Sequence, residues 1–330
     1  MAMCAAIVLA LGMAGCGNAQ EQHTSQSFVM DTVFDQTVYA DTVLVVASNT
    51  QLVNNIEALM SKTIPTSDIY KINHSLGHDV SVNGETARVI RASLQVAEQT
   101  EGAFNPAMGD IMQLWGFGTE SENVPSPERI AKVLELSDYT KVEVKDGNLV
   151  NSNGVMLDLG GVVKGYALDS LKDNLDLMGA GPALVSLGGS IYARGTKPDG
   201  APWTIGVRDP FGSSTDYMGT LELTDMCIST SGSYERGFTE GGVYYHHIID
   251  PATGYPAKNG LVSVSVMDEG GLETDLYSTA LFVMGAEKGV EFAQEHEISA
   301  LFITEDKKLY KTGSFVDDFQ LTDEGYYTNH

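Results

Sequence analysis

The chain has 330 residues, and its 19 Lys and Arg residues against 44 Asp and Glu residues give a formal net charge of −25. Hydrophobic residues make up 43% of the sequence, which is enough to bury a core and excludes wholesale disorder. A surface this acidic repels polyanions, which argues against free DNA or RNA as a partner. A phosphorylated small molecule would need nearby cations or helix N-termini to offset the same field.

The N-terminal residues have the features of an export signal. Residues 5–13 form an uncharged, weakly apolar run that is too short to span a bilayer, which needs about 20 apolar residues. The run ends in Met-Ala-Gly-Cys, which resembles a bacterial lipobox with Cys16 as the lipidated residue. No basic residue precedes the run and Met13 stands where Leu is usual, so an ordinary secretory signal with a chance cysteine is the alternative. We predict a signal peptide at 1–15, a polar tether at 16–27 and one globular body at 28–330.

The cysteines predict no disulfide framework and no zinc site, because Cys4, Cys16 and Cys227 are scattered. Cys227 lies in an apolar stretch of the body. It is predicted to be a buried small hydrophobic residue rather than a nucleophile.

Helical and strand-like patterns alternate along the body without an internal repeat. Ser126, Pro127 and Glu128 form a helix start with a capping side chain, a proline at the first helical position and an early acid. Residues 145–148 (Lys-Asp-Gly-Asn) between two short strand-like segments predict a hairpin. Strand-rich stretches with helices in blocks indicate an α+β fold rather than a parallel βαβ array. Helices are predicted near 52–60, 86–101, 126–136, 164–178 and, as two helices, 275–295, with a final strand pair at 299–312.

The first candidate site is a glycine pair between a predicted strand and a helix. An apolar segment ends at Gly160 and Gly161 and opens directly into a helix with Lys164 in its first turn. Glycines let the backbone approach a ligand, and free N–H groups with the helix dipole favour an anion. The spacing matches neither the Walker loop nor the dinucleotide fingerprint, which excludes a standard nucleotide loop. A tight turn with a solvated lysine is the alternative.

Two adjacent histidines form the second candidate site. His246 and His247 end a predicted strand, just before the rigid Asp-Pro-Ala-Thr-Gly-Tyr-Pro turn at 250–256. Strand side chains alternate between faces, so one imidazole can reach a cleft while the other meets solvent. A structural role for both rings is the alternative.

The third candidate site is a pair of oxygen-bearing side chains. Asp275 and Thr279 lie four residues apart and therefore on one face of a predicted helix. Their oxygens suit Mg²⁺, which uses few protein carboxylates and shares substrate phosphates. The alternative is that Asp275 only caps the helix.

The fourth segment is Thr-Glu-Gly-Ala-Phe-Asn-Pro at 100–106, which precedes Trp115 and Phe117. It fits a binding loop closed by aromatic rings. It equally fits a helix end packed by the same two rings.

Taken together, these segments resemble the ApbE family, the FAD:protein FMN transferases, from about Phe28 to Gly285. So many landmarks in one order are specific, and a lipobox in front of them is common in this family. The landmarks are residues 30–32 (Met-Asp-Thr), 102–106, 115–117, 158–166, 186–192, 230–236, 247–256 and 275–279.

The resemblance implies a T-fold-related α+β body and an extracytoplasmic, Mg²⁺-dependent transferase. Such an enzyme splits FAD at the pyrophosphate, moves FMN to a Thr or Ser hydroxyl of a target flavoprotein and releases AMP. Acceptors in the family resemble an Asp-x-x-Ser/Thr-Gly-Ala-Thr/Ser segment, which this chain lacks, so the acceptor is expected to be another protein. A lipidated (palmitate-bearing) Cys16 would anchor the enzyme to the bacterial cell membrane.

The resemblance also assigns roles by position. The Gly161 carbonyl, Asp275 and Thr279 are expected to bind Mg²⁺. His247 is expected to lie near the reacting phosphate and to be the base for the acceptor hydroxyl, and Lys164 is expected to lie at the FAD site as a second catalytic residue. The residues expected to contact FAD are Met30, Ala103, Phe104, Asn105, Asp158, Lys164 and His247.

The chain departs from the family at three points. Asn105 and Ala107 stand where the family often has Asp and Thr. The early tyrosine of the family falls at residues 61–64 (Ser-Lys-Thr-Ile), which contain no aromatic residue, and Tyr70 comes later. Ligand contacts at these points are therefore expected to differ.

Two other functions remain open from sequence. An FAD pyrophosphatase with water as acceptor, yielding FMN and AMP, would use every ligand named above. A surface lipoprotein that binds FAD without turnover would tolerate loss of His247. The absent dinucleotide fingerprint argues against a small-molecule dehydrogenase.

Overall fold

The computed structural model describes residues 20–328 and contains eight helices and seventeen strands in that range. The helices are α1 (Leu44–Met60), α2 (Asp68–Asn73), α3 (Gly84–Gln99), α4 (Gly109–Trp115), α5 (Pro127–Leu134), α6 (Val163–Leu177), α7 (Gly271–Glu295) and α8 (Phe315–Asp318). The strands are β1 (Glu21–Val29), β2 (Thr32–Ala40), β3 (Val80–Ser81), β4 (Glu143–Lys145), β5 (Leu149–Asn151), β6 (Ala183–Leu187), β7 (Ser190–Arg194), β8 (Trp203–Arg208), β9 (Tyr217–Leu223), β10 (Met226–Gly232), β11 (Gly237–Glu240), β12 (Val243–His246), β13 (Leu261–Asp268), β14 (Ser299–Thr304), β15 (Lys308–Lys311), β16 (Gln320–Leu321) and β17 (Tyr327–Thr328).

The central element, called the main sheet below, has nine of these strands in the order β1-β2-β6-β7-β10-β13-β14-β15-β17. Its pairs are antiparallel except for β15 with β17. Three smaller sheets complete the described part of the chain: β16-β9-β8, β3-β5-β4 and the two-stranded ribbon β11-β12.

The main sheet is covered on both faces. Successive residues of a strand point to opposite faces, so on β10 Cys227 is buried in the core that contains α1 and α6, and Ile228 in the core that contains β8 and β9. This layering confirms the predicted α+β class. The predicted burial of Cys227 is also confirmed, and that burial raises the pKa of its thiol, which keeps it protonated at neutral pH.

Helices α6 and α7 approach each other closely through two glycines. A Cβ atom on Gly165 would collide with the main-chain oxygen of Gly271, and a Cβ atom on Gly271 with that of Gly165. Because both glycines lie in the first turns of their helices, the two helix N-termini sit side by side. This contact places the residues of the candidate site.

The N-terminal boundary of the body differs from the prediction. The predicted tether at 16–27 is wrong for residues 21–27, because β1 begins at Glu21 and pairs with β2 along its whole length. Only His23 and Val29 of β1 are buried, and the polar residues between them are largely exposed at the sheet edge. Because most of its residues are polar, the sequence of this strand cannot be distinguished from that of a tether. Cys16 and the predicted signal peptide lie outside the described residues.

The predicted pair of helices at 275–295 is confirmed: α7 consists of two helical segments that meet at Gly285, where the backbone is not helical. Gly285 has a φ of 81°, and the Asn259 side chain donates to the carbonyls of Phe282 at 2.6 Å and Val283 at 3.2 Å beside the interruption. The other predicted helices, the hairpin around 145–148 and the final strand pair are confirmed. None of the helices formed by residues 20–328 has the length and apolarity needed to cross a membrane.

Candidate active site

The glycine turn before α6 is fixed by two other segments. The Asp158 N–H donates to the Pro106 carbonyl at 2.9 Å, which joins the turn to the 100–106 loop. Leu157 exchanges two hydrogen bonds with the Asn73 side chain, at 2.8 and 2.9 Å. The predicted strand here belongs to no sheet within residues 20–328, because the amide of Asn73 takes the place of a partner strand. Asp158 Oδ1 then accepts from the Gly160 N–H at 2.8 Å, which closes the turn.

Asp275 is buried and contacts the start of α6. Its Oδ2 accepts from the Gly165 N–H at 2.6 Å, and its Oδ1 accepts from the Ser190 hydroxyl at 2.8 Å. The alternative that Asp275 caps its own helix is wrong, because α7 is capped by Asp169, which accepts from Gly271 N–H at 2.7 Å. Asp275 therefore caps a different helix, 110 residues earlier in the chain.

Two of the three expected metal ligands, Gly161 and Thr279, lie side by side, and the third, Asp275, contacts the start of α6. Thr279 lies one helical turn after Asp275, and a Cβ atom on Gly161 would be 4.0 Å from the Thr279 hydroxyl oxygen. The same hydroxyl lies 3.2 Å from the Ser231 hydroxyl on β10. The Asp275 carboxylate at the start of α6 and the Thr279 hydroxyl beside Gly161 therefore both lie close to the glycine turn.

This donor set fits a Mg²⁺ ion chemically. A carboxylate offers about four lone-pair directions, and the two hydrogen bonds to Asp275 leave about half of them available. Within residues 20–328, no three His, Cys, Asp or Glu side chains lie close enough to hold a metal by themselves. Mg²⁺ typically binds one or two carboxylates and completes its shell with water and substrate phosphates, so it does not need such a cluster.

Lys164 is the second residue of α6 and is only partly exposed. Across the described residues it forms no ion pair and no side-chain hydrogen bond. Its ammonium therefore adds an uncompensated positive charge to the helix N-terminus, where the dipole already favours an anion.

His247 has one ring nitrogen committed to the protein. Both its N–H and its Nδ1 lie 3.1 Å from the Arg236 carbonyl oxygen. A carbonyl can only accept, so Nδ1 carries the proton and Nε2 keeps its lone pair. Burial lowers the pKa of His247 to about 4, and the charges of Arg236 and Lys164 contribute in the same direction. The ring is therefore neutral at pH 7, with a free basic nitrogen.

His246 has the opposite tautomer and a structural role. Its Nε2 lies 3.0 Å from the Ala257 carbonyl, so this nitrogen donates, and its Nδ1 accepts from the Ile248 N–H at 3.3 Å. The ring packs edge-on against Phe282. Burial lowers the pKa of His246. The expectation that the second ring meets solvent is wrong for His246, because its ring is buried against Phe282.

The 100–106 loop uses most of its side chains for its own structure. Phe104 is buried in the core, and Ala103 is partly buried. Asn105 donates from Nδ2 to the Ser137 carbonyl at 2.9 Å and accepts through Oδ1 from the Ala107 N–H at 2.8 Å. Contacts from this loop to a ligand would therefore come from its main chain and from Ala103. The Asn at this family-variable position is explained by the Ser137 carbonyl, because a carboxylate cannot donate to it.

Trp115 and Phe117 pack a helix end rather than close a binding loop. Trp115 is fully buried, and its Nε1 donates to the Gly254 carbonyl at 2.9 Å. Its ring contacts Phe117, Phe238, Tyr245 and Tyr255. This cluster packs the 250–256 turn and the β11–β12 ribbon against α4. It therefore holds in place the chain on both sides of His247.

Met30 lies in the two-residue turn between β1 and β2. Met30 and Asp31 have φ angles of 52° and 56°, a left-handed pair that usually requires Asn and Gly. The Asp31 carbonyl accepts from Arg236 Nη2 at 3.3 Å. Through Arg236 the strained turn is linked to the main-chain carbonyl that holds His247.

The sequence pattern of the ApbE family matches residues 30–302. The chain belongs to the ApbE family. It is 33% identical over 281 residues to the FAD:protein FMN transferase of Klebsiella pneumoniae (strain 342), covering 84% of this chain and 87% of that protein. The FAD:protein FMN transferase of Treponema pallidum (strain Nichols) is 33% identical over 290 residues, covering 82% of this chain and 80% of its own length.

Solved ApbE structures share the fold. The crystal structure of the ApbE protein from Thermotoga maritima superposes with a TM-score of 0.84 at 34% identity, covering 90% of this chain and 98% of that one. The flavin transferase ApbE from Vibrio cholerae superposes with a TM-score of 0.81 at 29% identity, covering 91% of this chain and 99% of its own. The predicted family and fold are thus confirmed.

In this ApbE protein, Lys62 occupies the segment where the family's early aromatic residue was expected. Its Nζ lies 2.5 Å from Asp158 Oδ2, so the segment supplies a cation beside the glycine turn. Tyr70 does not replace the missing aromatic residue there, since its ring stacks on His74 with centroids 3.9 Å apart. Because 96 residues separate Lys62 from Asp158 in the chain, no local sequence pattern predicted this ion pair.

Ser190 and Ser231, which contact two of the expected metal ligands, had only a weak signal in the sequence. Both occur in the landmark segments on β7 and β10, but no local pattern assigns them a partner. The fold places their hydroxyls against Asp275 and Thr279. They fix the rotamers of the expected metal ligands.

Proposed function

We propose that this chain transfers the FMN part of FAD to a Ser or Thr hydroxyl of an acceptor flavoprotein and releases AMP. The observation that carries the proposal is the state of the His247 ring: the Arg236 carbonyl holds its Nδ1, and its Nε2 forms no hydrogen bond within residues 20–328. The ring also lies close enough to Lys164 for that charge to lower its pKa. A neutral base beside a cationic helix N-terminus suits the attack of a hydroxyl on a phosphate. The names of the curated relatives support the same reaction.

In the proposed reaction His247 Nε2 accepts the proton of the acceptor hydroxyl. The resulting oxygen attacks the phosphorus of the FMN half, a new P–O bond forms, and the pyrophosphate bond to AMP breaks. Lys164 and the N–H groups at the start of α6 hold the phosphate oxygens, which in a chain of net charge −25 need this local compensation. Holding the acceptor and the leaving group in line accounts for most of the catalysis of phosphoryl transfer.

Mg²⁺ is part of the proposal. The residues that would hold it are Asp275, Thr279 and the Gly161 carbonyl, whose oxygens fit the ion as argued above. When bound, the ion would polarise the phosphoryl oxygens of the substrate. Ser190 and the Gly165 N–H fix the Asp275 carboxylate, so its orientation does not depend on the ion.

We further propose an extracytoplasmic enzyme anchored to the cell membrane through a lipid on Cys16. The lipobox-like Met-Ala-Gly-Cys sequence supports this proposal. Since β1 begins at Glu21, four residues would separate the lipidated cysteine from the sheet. Labelling of cells with a palmitate analogue should tag the wild-type protein but not Cys16→Ser, and an unlabelled wild-type protein in the soluble fraction would contradict the anchor.

The transferase is tested with the lipid-free body, FAD, Mg²⁺ and a purified flavoprotein that carries the acceptor segment described above. Fluorescent FMN bound covalently to the acceptor, and absent with a chelator or in Asp275→Ala, would establish the reaction. Release of free FMN and AMP without labelled acceptor would show a pyrophosphatase instead. Binding of intact FAD with neither product would leave only an FAD-binding protein.

A further inference from the structure

The β11–β12 ribbon places Arg236 directly opposite His247. Gly237 pairs with His246, and the hydrogen bond from His247 N–H to the Arg236 carbonyl extends this register by one residue. Directly opposed residues of an antiparallel pair have side chains on the same face, with Cβ atoms about 4.5–5.5 Å apart. The guanidinium of Arg236 therefore reaches the space that the imidazole of His247 also faces.

The guanidinium of Arg236 is largely unpaired. Its single side-chain hydrogen bond within residues 20–328 is the one from Nη2 to the Asp31 carbonyl, at 3.3 Å, and in that range it forms no ion pair. This is notable in a chain with 44 acidic and 19 basic residues. By contrast, the nearby Arg208 pairs with Glu235 at 3.1 Å and stacks on Tyr234. Arg236 thus keeps most of its five donors free beside the base.

We propose that Arg236 binds the phosphate oxygens of the flavin substrate, as the second cation of a pocket that includes Lys164. The inference rests on the proposed function and deepens it. A guanidinium presents a planar fork that matches phosphate oxygens, whereas Lys164 supplies a point charge. The bond to Asp31 aims the side chain toward the Met30 turn, so the substrate phosphate would lie between that turn and His247. Arg236 would also stabilise charge that develops on those oxygens during transfer.

The test compares flavins that differ only in their phosphate. FMN and riboflavin are titrated into the protein with Mg²⁺ present, and binding is followed by flavin fluorescence. FMN has no pyrophosphate and is not consumed. Arg236→Gln should weaken FMN binding by about 10- to 100-fold, the usual value of a hydrogen bond to a charged group, and leave riboflavin binding unchanged. Arg236→Lys should restore part of the loss, and the KM for FAD in the transfer assay should follow the same order.

Arg129→Gln is the matched control, because Arg129 is an exposed arginine on α5 without an ion pair among the described residues. Equal weakening of FMN and riboflavin in Arg236→Gln would mean that Arg236 only shapes the flavin pocket, which overturns the inference. Unchanged FMN binding in that variant would overturn it as well, while labelling of the acceptor by the wild-type protein would leave the proposed function standing. A wild-type protein that neither prefers FMN to riboflavin nor labels the acceptor would contradict both the inference about Arg236 and the proposed function.

Discussion

Asp169 and Asp275 cap each other's helices. Asp169 of α6 accepts from the N–H groups of Gly271 and Leu272 at the start of α7, and Asp275 of α7 accepts from the Gly165 N–H at the start of α6. The close approach of Gly165 and Gly271 makes this exchange possible. An expected metal ligand is therefore also part of the fold, and its two roles can be separated by substitution.

The first prediction separates charge from packing at Asp275. Asp275→Asn keeps an oxygen for the Gly165 N–H, and its amide can donate to Ser190, so the free energy of unfolding should fall by less than about 1 kcal/mol. Asp275→Ala leaves the buried N–H and hydroxyl unpaired and should lower it by about 1–3 kcal/mol. Both variants should lose transfer, because neither carries the negative charge that Mg²⁺ requires. Urea unfolding and the transfer assay measure the two effects.

An Asp275→Asn protein that is stable and still transfers FMN at the same Mg²⁺ concentration would show that the carboxylate serves only as a helix cap.

The second prediction concerns the pH dependence of transfer. Burial lowers the pKa of His247 to about 4, so the base form predominates down to about that pH in the folded protein. We expect the rate to be level from pH 8 to about pH 6 and to fall only as the pH approaches 4, rather than at the ordinary histidine value of about 6.5. His247→Gln should lower the rate by about 10²–10⁴-fold at pH 7.

The lowered pKa of His247 also makes the free energy of unfolding depend on pH. Because the pKa of His247 is lower in the folded than in the unfolded chain, its contribution to stability is complete above about pH 6.5 and is lost as the pH falls toward 4. Wild-type protein should therefore lose more stability than His247→Gln between these values. A rate midpoint near 6.5 would instead indicate a solvated imidazole and contradict the position of the ring.

The sequence predicts those parts of the site that depend on local spacing. The glycine turn into α6, the opposite directions of His246 and His247, and the pair Asp275–Thr279 each follow from the period of one helix or strand. The partners of these residues do not follow from it. The contact of Asp275 with Gly165 spans 110 residues and that of Lys62 with Asp158 spans 96, so both depend on the packing of the whole fold.

One local pattern was misleading for a physical reason, and another was informative. The polar strand β1 resembles a tether because most of its side chains face solvent at a sheet edge. The apolar, glycine-containing segment after Asp275 was correctly predicted as two helices, because Gly285 interrupts it, and Asn259 satisfies the carbonyls next to the interruption.

The third prediction concerns Asn105, which replaces an aspartate common in the family. Asn105→Asp removes the donor to the Ser137 carbonyl and places a carboxylate 2.9 Å from that oxygen. We expect the free energy of unfolding to fall by about 1–3 kcal/mol, although the variant restores the usual residue. Thermal unfolding measures the change, with Asn54→Asp as the control, because Asn54 is exposed on α1 and its side chain forms no hydrogen bond among the described residues. Equal stability of wild type and Asn105→Asp would show that a water molecule can replace Asn105 as the donor to the Ser137 carbonyl.

The last prediction concerns the ion pair between Lys62 and Asp158. The Lys62 side chain is 41% exposed, so the pair should add only about 0–1 kcal/mol to stability. Its electrostatic effect on a ligand is larger, because Lys62→Met leaves the Asp158 carboxylate uncompensated next to the turn where the pyrophosphate is proposed to bind. We expect the KM for FAD to rise several-fold at low ionic strength, with little change in kcat.

Salt and a matched variant identify the cause of that rise. Added salt screens an exposed charge, so the difference in KM between Lys62→Met and wild type should shrink as ionic strength increases. Lys145→Met breaks a comparable exposed pair with Asp79, at 2.9 Å, between β4 and the segment before β3, and should leave the KM for FAD unchanged. If both variants raise the KM alike, the effect comes from the net charge of the chain. If neither does, Lys62 serves only to hold Asp158 in its turn.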